Sequence, residues 1–553
     1  MKILFLMDSP EYLRFFDTVI EELAARGHHV TLGVGWGREK KAVGLAGLHS
    51  HIAGVHVAGV VPQAEGVWAD IGYGLRGVMD FVRYLHPRFA SAPALRNRMK
   101  RKVLPSAYRW LDAIPRLSPG VVRGVEHALM AAERAIPLSP RILEFLRNDM
   151  PDLLLVSPLV AASSPQVDWL KAAHACGVRT GACIASWDNL TNKGLLRVEP
   201  DRVFVWNEAQ KSEAQEYHYI PPEKVVVTGA QLFDRWFTKE VTRDRAAFCE
   251  RAGLPDARPF VLFTGSSVFI SRSNVEVPFV RRWIETLRSS PDPALREINI
   301  LVRPHPYNYH AWAEEPLADY PGVTVFPRQA FNPIDKDARA DFYDSLYHCS
   351  VVVGVNTSAM IEAAILGKPV LSMLSEEFSS TQTGTIHFHY LLPENGGFLR
   401  IASGLEEHVK QLSARLADLE GGRLETSRFV ASFIRPHGVD QSATPIFADA
   451  IEQLGSAPVP RHAPVPVWSV LWRPALFGAA FVQATANLVQ RSNSTKARRR
   501  IANFFRRTGK NASRAGRQVG RASRIASGRV RHRTKVTTKQ WQKAAVKLLR
   551  LRW

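Results

Sequence analysis

A strand-turn-helix segment at residues 351–373 carries the strongest chemical signal in the sequence. Its sequence, VVVGVNTSAMIEAAILGKPVLSM, predicts a buried strand ending at Gly354 and, after a polar turn, a helix with Glu362 one turn in. The turn offers an amide and two hydroxyl groups, those of Asn356, Thr357 and Ser358. Hydroxyl and backbone N–H groups at a helix start can bind phosphate, and a carboxylate one turn later can accept hydrogen bonds from ribose. The segment therefore predicts a nucleotide-binding loop, although an ordinary capped helix would use the same residues.

Two other loops in the same half of the chain follow predicted strands. The sequence ILVRPHP places Arg303 and His305 at the end of a predicted strand at 299–303. The sequence FTGSS forms a turn after a strand at 260–264, made by Gly265, Ser266 and Ser267. A tight turn alone would explain the second loop, and a strand end the first. Because parallel strands end at one edge of a sheet, we expect these loops to meet the nucleotide-binding loop.

The first half of the chain offers candidate acceptor-side groups in ASWDNLTNKG, residues 185–194. This loop follows a predicted strand at 178–185 and mixes an aromatic ring, a carboxylate, two amides and a cation, which suit sugars and phosphates. The residues are Trp187, Asp188, Asn189, Asn192 and Lys193. Transfer to a hydroxyl group needs a general base, for which Asp188 is the first candidate and Asp8, after the first strand, the second. Either carboxylate could instead cap a helix or close an Asx turn.

A further loop, TQTGTIHFHY, follows the predicted strand at 369–373. It contains three polar side chains that we expect to close over a bound donor, those of Gln382, Thr385 and His387. No DxD-like pair stands in a suitable loop, and the four cysteines show no metal-ligand spacing. The sequence therefore predicts neither a metal nor a cofactor.

Short apolar runs alternate with helix-period segments along most of the chain, the pattern of parallel sheets covered by helices. The first series has strands at 3–7, 29–34, 153–157, 178–185, 203–206 and 225–228. The second has strands at 260–264, 299–303, 323–326, 350–355 and 369–373. We predict an α/β protein of two doubly wound, Rossmann-like domains with a deep cleft between them.

The same pattern gives the predicted domain limits. Residues 1–235 form the acceptor-side domain, with a helical insertion at about 73–150, and residues 236–258 connect it to the donor domain at 259–455. Residues 456–490 combine a proline-rich linker with an apolar segment whose polar interruptions predict an interfacial position rather than a membrane span. Residues 491–553 form a basic tail.

The net charge of +21 lies entirely in that tail. Of 72 Lys and Arg residues, 21 fall in 491–553, where there is no Asp or Glu, so the remaining 51 balance the 51 acids of the body. Within the tail, Trp541, Leu548 and Leu551 share one helical face while lysines lie opposite, which predicts a basic amphipathic helix on an anionic membrane surface. A solvated disordered tail is the alternative; nucleic acid is disfavoured because few aromatic residues could stack on bases.

The first residues and the cysteines indicate the compartment. The apolar run at 3–7 is followed at once by Asp8 and Glu11, which does not match a signal peptide, and four cysteines without a paired pattern fit a reducing environment. We expect a cytoplasmic protein held peripherally on the inner face of the cell membrane.

Two motifs resemble those of known enzymes. The pattern S/T-S-x-x-x-E-A-x-x-x-G-x-P-V around Ser358 and Glu362 resembles the donor-binding element of GT-B glycosyltransferases and of UDP-N-acetylglucosamine 2-epimerases. The sequence RPHP is similar to the HP motif of capsule-type sialyl- and Kdo-transferases and of CDP-glycerol glycerophosphotransferases. The resemblance covers roughly residues 150–450.

This resemblance implies a metal-independent GT-B transferase. It would move a sugar, or glycerophosphate, from a nucleotide-sugar or CDP-glycerol-type donor to a lipid-linked or surface-polysaccharide acceptor. In those families the His of the HP motif, here His305, meets the donor phosphate together with the serine that corresponds to Ser358. A sugar-nucleotide 2-epimerase and a non-catalytic scaffold at a membrane or RNA are the alternatives.

Overall fold

The computed structural model describes residues 1–35, 52–255, 258–268, 270–271, 273–306, 308–314, 317, 319–328, 335–459 and 467–492. The predictions for the basic tail and for much of the proline-rich linker lie outside these residues. Residues 1–480 form one compact unit. Among the described residues, no helix is both long and apolar enough to cross a bilayer.

Seven parallel strands make the first sheet, in the order β3-β2-β1-β4-β5-β6-β7. They are β1 (Lys2–Met7), β2 (His29–Val34), β3 (Val55–Val60), β4 (Leu153–Ser157), β5 (Arg179–Cys183), β6 (Arg202–Val205) and β7 (Val225–Val227). Every residue of β4 is buried because helices cover both faces of the sheet. The predicted strands are present, and β3 was missed.

Six parallel strands make the second sheet, in the order β10-β9-β8-β11-β12-β13. They are β8 (Phe260–Thr264), β9 (Asn299–Arg303), β10 (Val323–Val325), β11 (Val351–Gly354), β12 (Val370–Met373) and β13 (Arg400–Ala402). The strand order reverses beside β1 and beside β8, and ligands bind outside the strand ends at such points in doubly wound sheets. The predicted class of two Rossmann-like α/β sheets is confirmed.

Helices join the strands of each sheet. Those up to β7 are α1 (Asp17–Ala25), α2 (Val67–Val82), α3 (Pro93–Lys102), α4 (Pro119–Arg134), α5 (Pro140–Asp149), α6 (Gln166–Cys176), α7 (Asn189–Asn192) and α8 (Glu208–His218). Those from β7 to β11 are α9 (Asp234–Thr238), α10 (Arg245–Ala252), α11 (Ser273–Arg288), α12 (Pro293–Glu297), α13 (His310–Ala313) and α14 (Lys336–His348). The rest are α15 (Ala359–Ile365), α16 (Leu405–Ala417), α17 (Leu419–Phe429), α18 (Ala443–Ser456) and α19 (Trp472–Ser492).

The insertion between β3 and β4 is helical, as the sequence predicts. Helices α2, α3 and α4 enclose an apolar cluster that includes Phe81, Leu95 and Met99. A 3-10 helix, Pro10–Phe15, separates β1 from α1.

The chain passes between the two sheets twice, and Asp234 joins the two passages. The first passage follows β7, and the second leads into α18, whose apolar face packs against the first sheet. The Asp234 carboxylate accepts hydrogen bonds from the backbone N–H groups of Ala443 (3.0 Å) and Thr444 (2.7 Å) and forms an ion pair with Arg435 (3.0 Å). The predicted domain limits stay a prediction, but α18 lies with the first sheet although the sequence groups it with the second.

The packing of α18 leads to a stability prediction. Leu454 is 4% exposed within the core of the first sheet, so Leu454→Ala should lower the free energy of unfolding by about 2–5 kcal/mol through cavity formation. Denaturant unfolding followed by circular dichroism measures this. Leu424→Ala is the matched control, because Leu424 is 57% exposed and its truncation should have little effect. Equal effects of the two variants would contradict the docking of α18.

Candidate functional site

The loop after β5 places a carboxylate and an ammonium group side by side. Burial alone would raise the pKa of Asp188, but the charges of Lys193 and His387 and a hydrogen bond from Ser186 outweigh it and lower the pKa to about 2. Burial would lower the pKa of Lys193, yet Asp188 raises it. The Lys193 ammonium also donates to the Tyr12 hydroxyl (3.1 Å). Both groups are therefore charged at neutral pH.

Arg83 and Tyr84, at the end of α2, hold this loop by its backbone. The buried Arg83 guanidinium donates to three loop carbonyl groups at 2.8–3.0 Å, those of Leu190, Lys193 and Gly194. The Tyr84 hydroxyl lies 2.8 Å from the Lys193 carbonyl oxygen and 3.1 Å from that of Thr191. The helical insertion thus fixes the backbone that carries Asp188 and Lys193.

Asp80, also on α2, fixes the end of the same loop. Its carboxylate accepts hydrogen bonds from the backbone N–H groups of Ser163 (2.7 Å) and Leu195 (2.9 Å) and forms an ion pair with Arg197. Both charged side chains are fully buried. The sequence analysis missed this contact. The signal is present, because charged Arg76, Asp80 and Arg83 recur at helical spacing in an otherwise apolar helix.

His387 brings the second half of the chain to the same loop. Its ring packs edge-on against Trp187, with the centroids 4.6 Å apart, and its Nδ1 lies 2.8 Å from the Asn192 amide nitrogen. Burial lowers the pKa of His387 to about 4, so the ring is neutral at neutral pH. Asn189 is fully buried and bonded to the Asp188 carboxylate and the Ala185 N–H. The side-chain amides of Asn189 and Asn192 therefore both make hydrogen bonds within the protein.

Gln382 and Thr385 lie in the same segment as His387. The fully buried Gln382 side chain donates to the backbone carbonyl groups of Val355 (3.2 Å) and Met373 (2.9 Å), which follow β11 and end β12. The Thr385 hydroxyl donates to the Gln382 carbonyl (2.9 Å). These hydrogen bonds anchor the segment that carries His387 to the second sheet. The predicted closure of this segment over a donor stays a prediction.

The strand ends of the second sheet bring two of the predicted loops together. The Gly265 N–H donates to the Arg303 carbonyl (2.8 Å), and a Cβ on Gly265 would lie 3.0 Å from the His305 backbone nitrogen, so a larger residue would push the two loops slightly apart. The Ser266 N–H donates to the buried Glu276 carboxylate (2.7 Å), and the Ser267 carbonyl accepts from Ser271 (3.0 Å). The turn at 265–267 and the His305 loop therefore border each other.

Arg14, in the 3-10 helix after β1, lies near two of the predicted donor-binding residues. Burial, together with the charge of Arg14, lowers the pKa of His305 to about 4. Burial raises the pKa of Glu362 to about 7, against the opposing charges of Arg14 and Lys239. His305 and Glu362 therefore share one neighbouring cation, which comes from the first half of the chain. The sequence analysis did not single out Arg14.

Arg303 does not join this group in the way the sequence predicts. Its buried guanidinium donates towards α14, to the backbone carbonyl groups of Ala338 (3.3 Å) and Asp341 (3.4 Å) and to the Ser345 hydroxyl (3.2 Å). It also lies 5.3 Å from the Phe342 ring centroid. A buried guanidinium needs such partners, and α14 supplies them. The donor-binding role of Arg303 stays a prediction.

The polar turn before α15 has mixed surroundings. Asn356 is buried and donates to the Thr381 carbonyl, while the Thr357 hydroxyl accepts from the Ala359 N–H (3.4 Å). Ser358 is exposed, and its hydroxyl makes no capping hydrogen bond. Of these residues, Ser358 keeps the open hydroxyl that its predicted role requires.

Asp8 lies at the carboxyl end of β1, beside the point where the strand order reverses. It lines a cavity of about 130 Å³ together with Gln63, Gln166 and Trp169. Its backbone N–H donates to the Ser157 carbonyl (2.9 Å), which fixes the turn after the strand. Within the described part of the chain, no group of three or more His, Cys, Asp or Glu residues could hold a metal ion.

Two Rossmann-like sheets lie in one unit, with polar side chains at the carboxyl ends of both, an arrangement that agrees with the predicted GT-B-like α/β fold. Neither a protein-family model nor a curated protein matches the chain. Solved structures similar in fold include the UDP-GlcNAc 2-epimerase of Neisseria meningitidis bound to UDP-GlcNAc, at 12% identity over 82% of this chain and 100% of that one, with a TM-score of 0.46. A glycosyltransferase of Rickettsia africae matches at 11% identity (83% and 99% covered, TM-score 0.46), and SnogD of Streptomyces nogalater at 14% (82% and 100%, TM-score 0.42).

The Asp80 contact predicts a strong dependence of stability on one charge. Asp80→Asn should lower the free energy of unfolding by about 3–5 kcal/mol, because it leaves the Arg197 guanidinium buried without a counter-charge. Urea unfolding gives the difference. Glu65→Gln serves as the control, since Glu65 and its partner Arg141 are both more than half exposed and that ion pair contributes little. A stability of Asp80→Asn close to that of Glu65→Gln would refute the role of Asp80.

Proposed function

We propose that this protein is a metal-independent GT-B transferase. It moves a sugar, or glycerophosphate, from a nucleotide-activated donor to a lipid-linked or surface-polysaccharide acceptor. The observation that carries the proposal is that the charge of Arg14, after the first strand of the first sheet, acts on both His305 and Glu362, which follow strands of the second sheet. A carboxylate, an imidazole and a cation of this kind can bind ribose and phosphate together.

In this proposal the second half binds the donor nucleotide. The Glu362 carboxylate accepts hydrogen bonds from the ribose, and the neutral His305 imidazole donates one N–H to the donor phosphate. Arg14, with the Ser358 hydroxyl, stabilises the negative charge that develops on the leaving nucleotide. The 2.8 Å contact between Gly265 and the Arg303 carbonyl supports a fixed loop at that position.

The first half supplies the base and binds the acceptor. The acceptor oxygen forms a bond to the transferred centre while the bond from that centre to the nucleotide phosphate oxygen breaks, and a carboxylate takes the hydroxyl proton. A pKa of about 2 makes Asp188 a weak proton acceptor, since an effective base has a pKa near the working pH. We therefore assign the base to Asp8 and the orientation of acceptor hydroxyl groups to Asp188 and Lys193.

The proposed acceptor and the basic tail both bear on where the protein works in the cell. A chain whose 21 tail cations face no tail acid should associate with anionic lipid headgroups. We propose a peripheral position on the inner face of the membrane, where lipid-linked acceptors are within reach.

Nucleotide binding with a specific pH dependence tests the donor site. Calorimetric titrations with CMP, CDP, UDP and GDP should give saturable binding of at least one, strengthening as the pH rises through about 7, where Glu362 loses its proton. Glu362→Gln should weaken binding about tenfold at pH 8 and remove that dependence. The nucleotide phosphate also titrates in this pH range, but it does so equally with Glu362→Gln, so the variant separates the two contributions to the pH dependence. If none of the four nucleotides binds, the transferase proposal is wrong and the non-catalytic scaffold becomes the better interpretation.

Turnover separates a transferase from a 2-epimerase. With a nucleotide-sugar that binds, we expect slow release of the nucleotide without acceptor and no epimerised donor by NMR. His305→Ala should lower nucleotide release by around two orders of magnitude, as loss of one preorganised charge stabiliser does. His310→Ala is the control, because His310 is exposed five residues further on. Conversion of the donor to its 2-epimer would instead identify the epimerase.

A further inference from the structure

Two buried side chains outside the predicted site hold the turn at 265–267. The Glu276 carboxyl group, on α11, accepts a hydrogen bond from the Ser266 N–H (2.7 Å). The Asn308 amide nitrogen donates to the backbone carbonyl groups of Ser266 and Ser271 (3.1 Å each). Glu276 is 0% exposed and Asn308 is 4% exposed, so neither side chain faces a ligand directly.

Asn308 also joins this turn to the His305 loop. Its backbone N–H donates to the His305 carbonyl (2.8 Å), while its side chain bonds the Ser266 carbonyl. The Gly265 N–H makes a second link between the two loops, through the Arg303 carbonyl (2.8 Å). Because each buried polar group here has a partner, a displacement of either loop would break hydrogen bonds that water cannot replace.

Ser267 is the part of the turn that stays open to a ligand. Ser266 is fully buried, whereas Ser267 is partly exposed. The Ser267 carbonyl accepts from the Ser271 N–H (3.0 Å), which fixes the direction of the chain. Among the described residues, the N–H and hydroxyl groups of Ser267 make no hydrogen bond. An N–H and a hydroxyl group on a turn held in this way suit the oxygens of a phosphate.

We propose that Glu276 and Asn308 are positioning residues for the donor phosphate. They act through the backbone of the turn and of the His305 loop, and so hold Ser267 and His305 in one arrangement for the same phosphate group. Groups that are fixed before a ligand binds lose little conformational entropy when it does, which improves affinity. The inference rests on the proposed function and deepens it, because it names the residues that set the phosphate site.

The test compares a nucleotide with its nucleoside in variants of the full chain. For a nucleotide among CMP, CDP, UDP and GDP that binds, Asn308→Ala should weaken binding about tenfold and leave binding of cytidine, uridine or guanosine unchanged, because only the phosphate contacts the fixed loops. Calorimetry measures the nucleotide, and saturation-transfer NMR measures the nucleoside. Asn395→Ala is the matched control, since exposed Asn395 also donates to a backbone carbonyl, that of His389 (2.9 Å).

Replacements of Glu276 separate positioning from folding. Glu276→Gln keeps an oxygen that can accept from the Ser266 N–H and should retain nucleotide affinity, whereas Glu276→Ala should lose about tenfold. Glu285→Ala is the control, because Glu285 is exposed on the same helix. Thermal unfolding checks each variant, and Asn308→Ala covers the case in which Glu276→Ala does not fold.

The outcomes are distinct. Equal losses of nucleotide and nucleoside affinity in Asn308→Ala, or no loss of either, overturn the proposal. A loss in Glu276→Gln as large as that in Glu276→Ala removes the role of the Glu276 hydrogen bond. If the unmodified protein binds none of the nucleotides, the proposed function itself fails, and this inference fails with it.

Discussion

The buried carboxylate of Asp80 is the contact on which the first half of the site depends. It joins three segments that are distant in sequence, through the N–H groups of Ser163 and Leu195 and the guanidinium of Arg197. A carboxylate this deep in the protein is stable only when each of its oxygens is bonded, so the three segments have little freedom. That restraint and the hydrogen bonds from Arg83 to the loop carbonyl groups together fix the positions of Asp188 and Lys193.

The sequence predicts the fold well where burial is two-sided and poorly where it is not. Strand β4 is apolar throughout because both of its faces are covered, which makes it recognisable from composition alone. Strand β3, VHVAGV, is a partly exposed edge strand with an irregular register against β2, and β13 has three residues, so neither gives a long apolar run. The place of α18 was also beyond local reasoning, because its apolar face fits either sheet and only the tertiary contacts of Phe447 and Leu454 decide.

The site was predictable as far as strand ends could be located. His305, Ser358 and Glu362 follow strands of one sheet and were singled out on that basis, whereas the direction of the Arg303 side chain depends on α14, a partner that no local pattern reveals. Arg14 was not singled out because it lies in a short 3-10 helix whose position is set by distant contacts. Charged residues on the buried face of α2 were the available clue to the insertion's role.

The two passages of the chain beside Asp234 have a mechanical consequence. Because Asp234 bonds the end of the second passage, at Ala443 and Thr444 where α18 begins, both covalent connections between the sheets run through one place. A double tether of this kind acts as a hinge: it permits bending and resists twisting or separation. Arg14 and Glu362 both lie beside this hinge, because the 3-10 helix of Arg14 contacts residues 231–233 and α15 contacts α9, so bending there changes their spacing little.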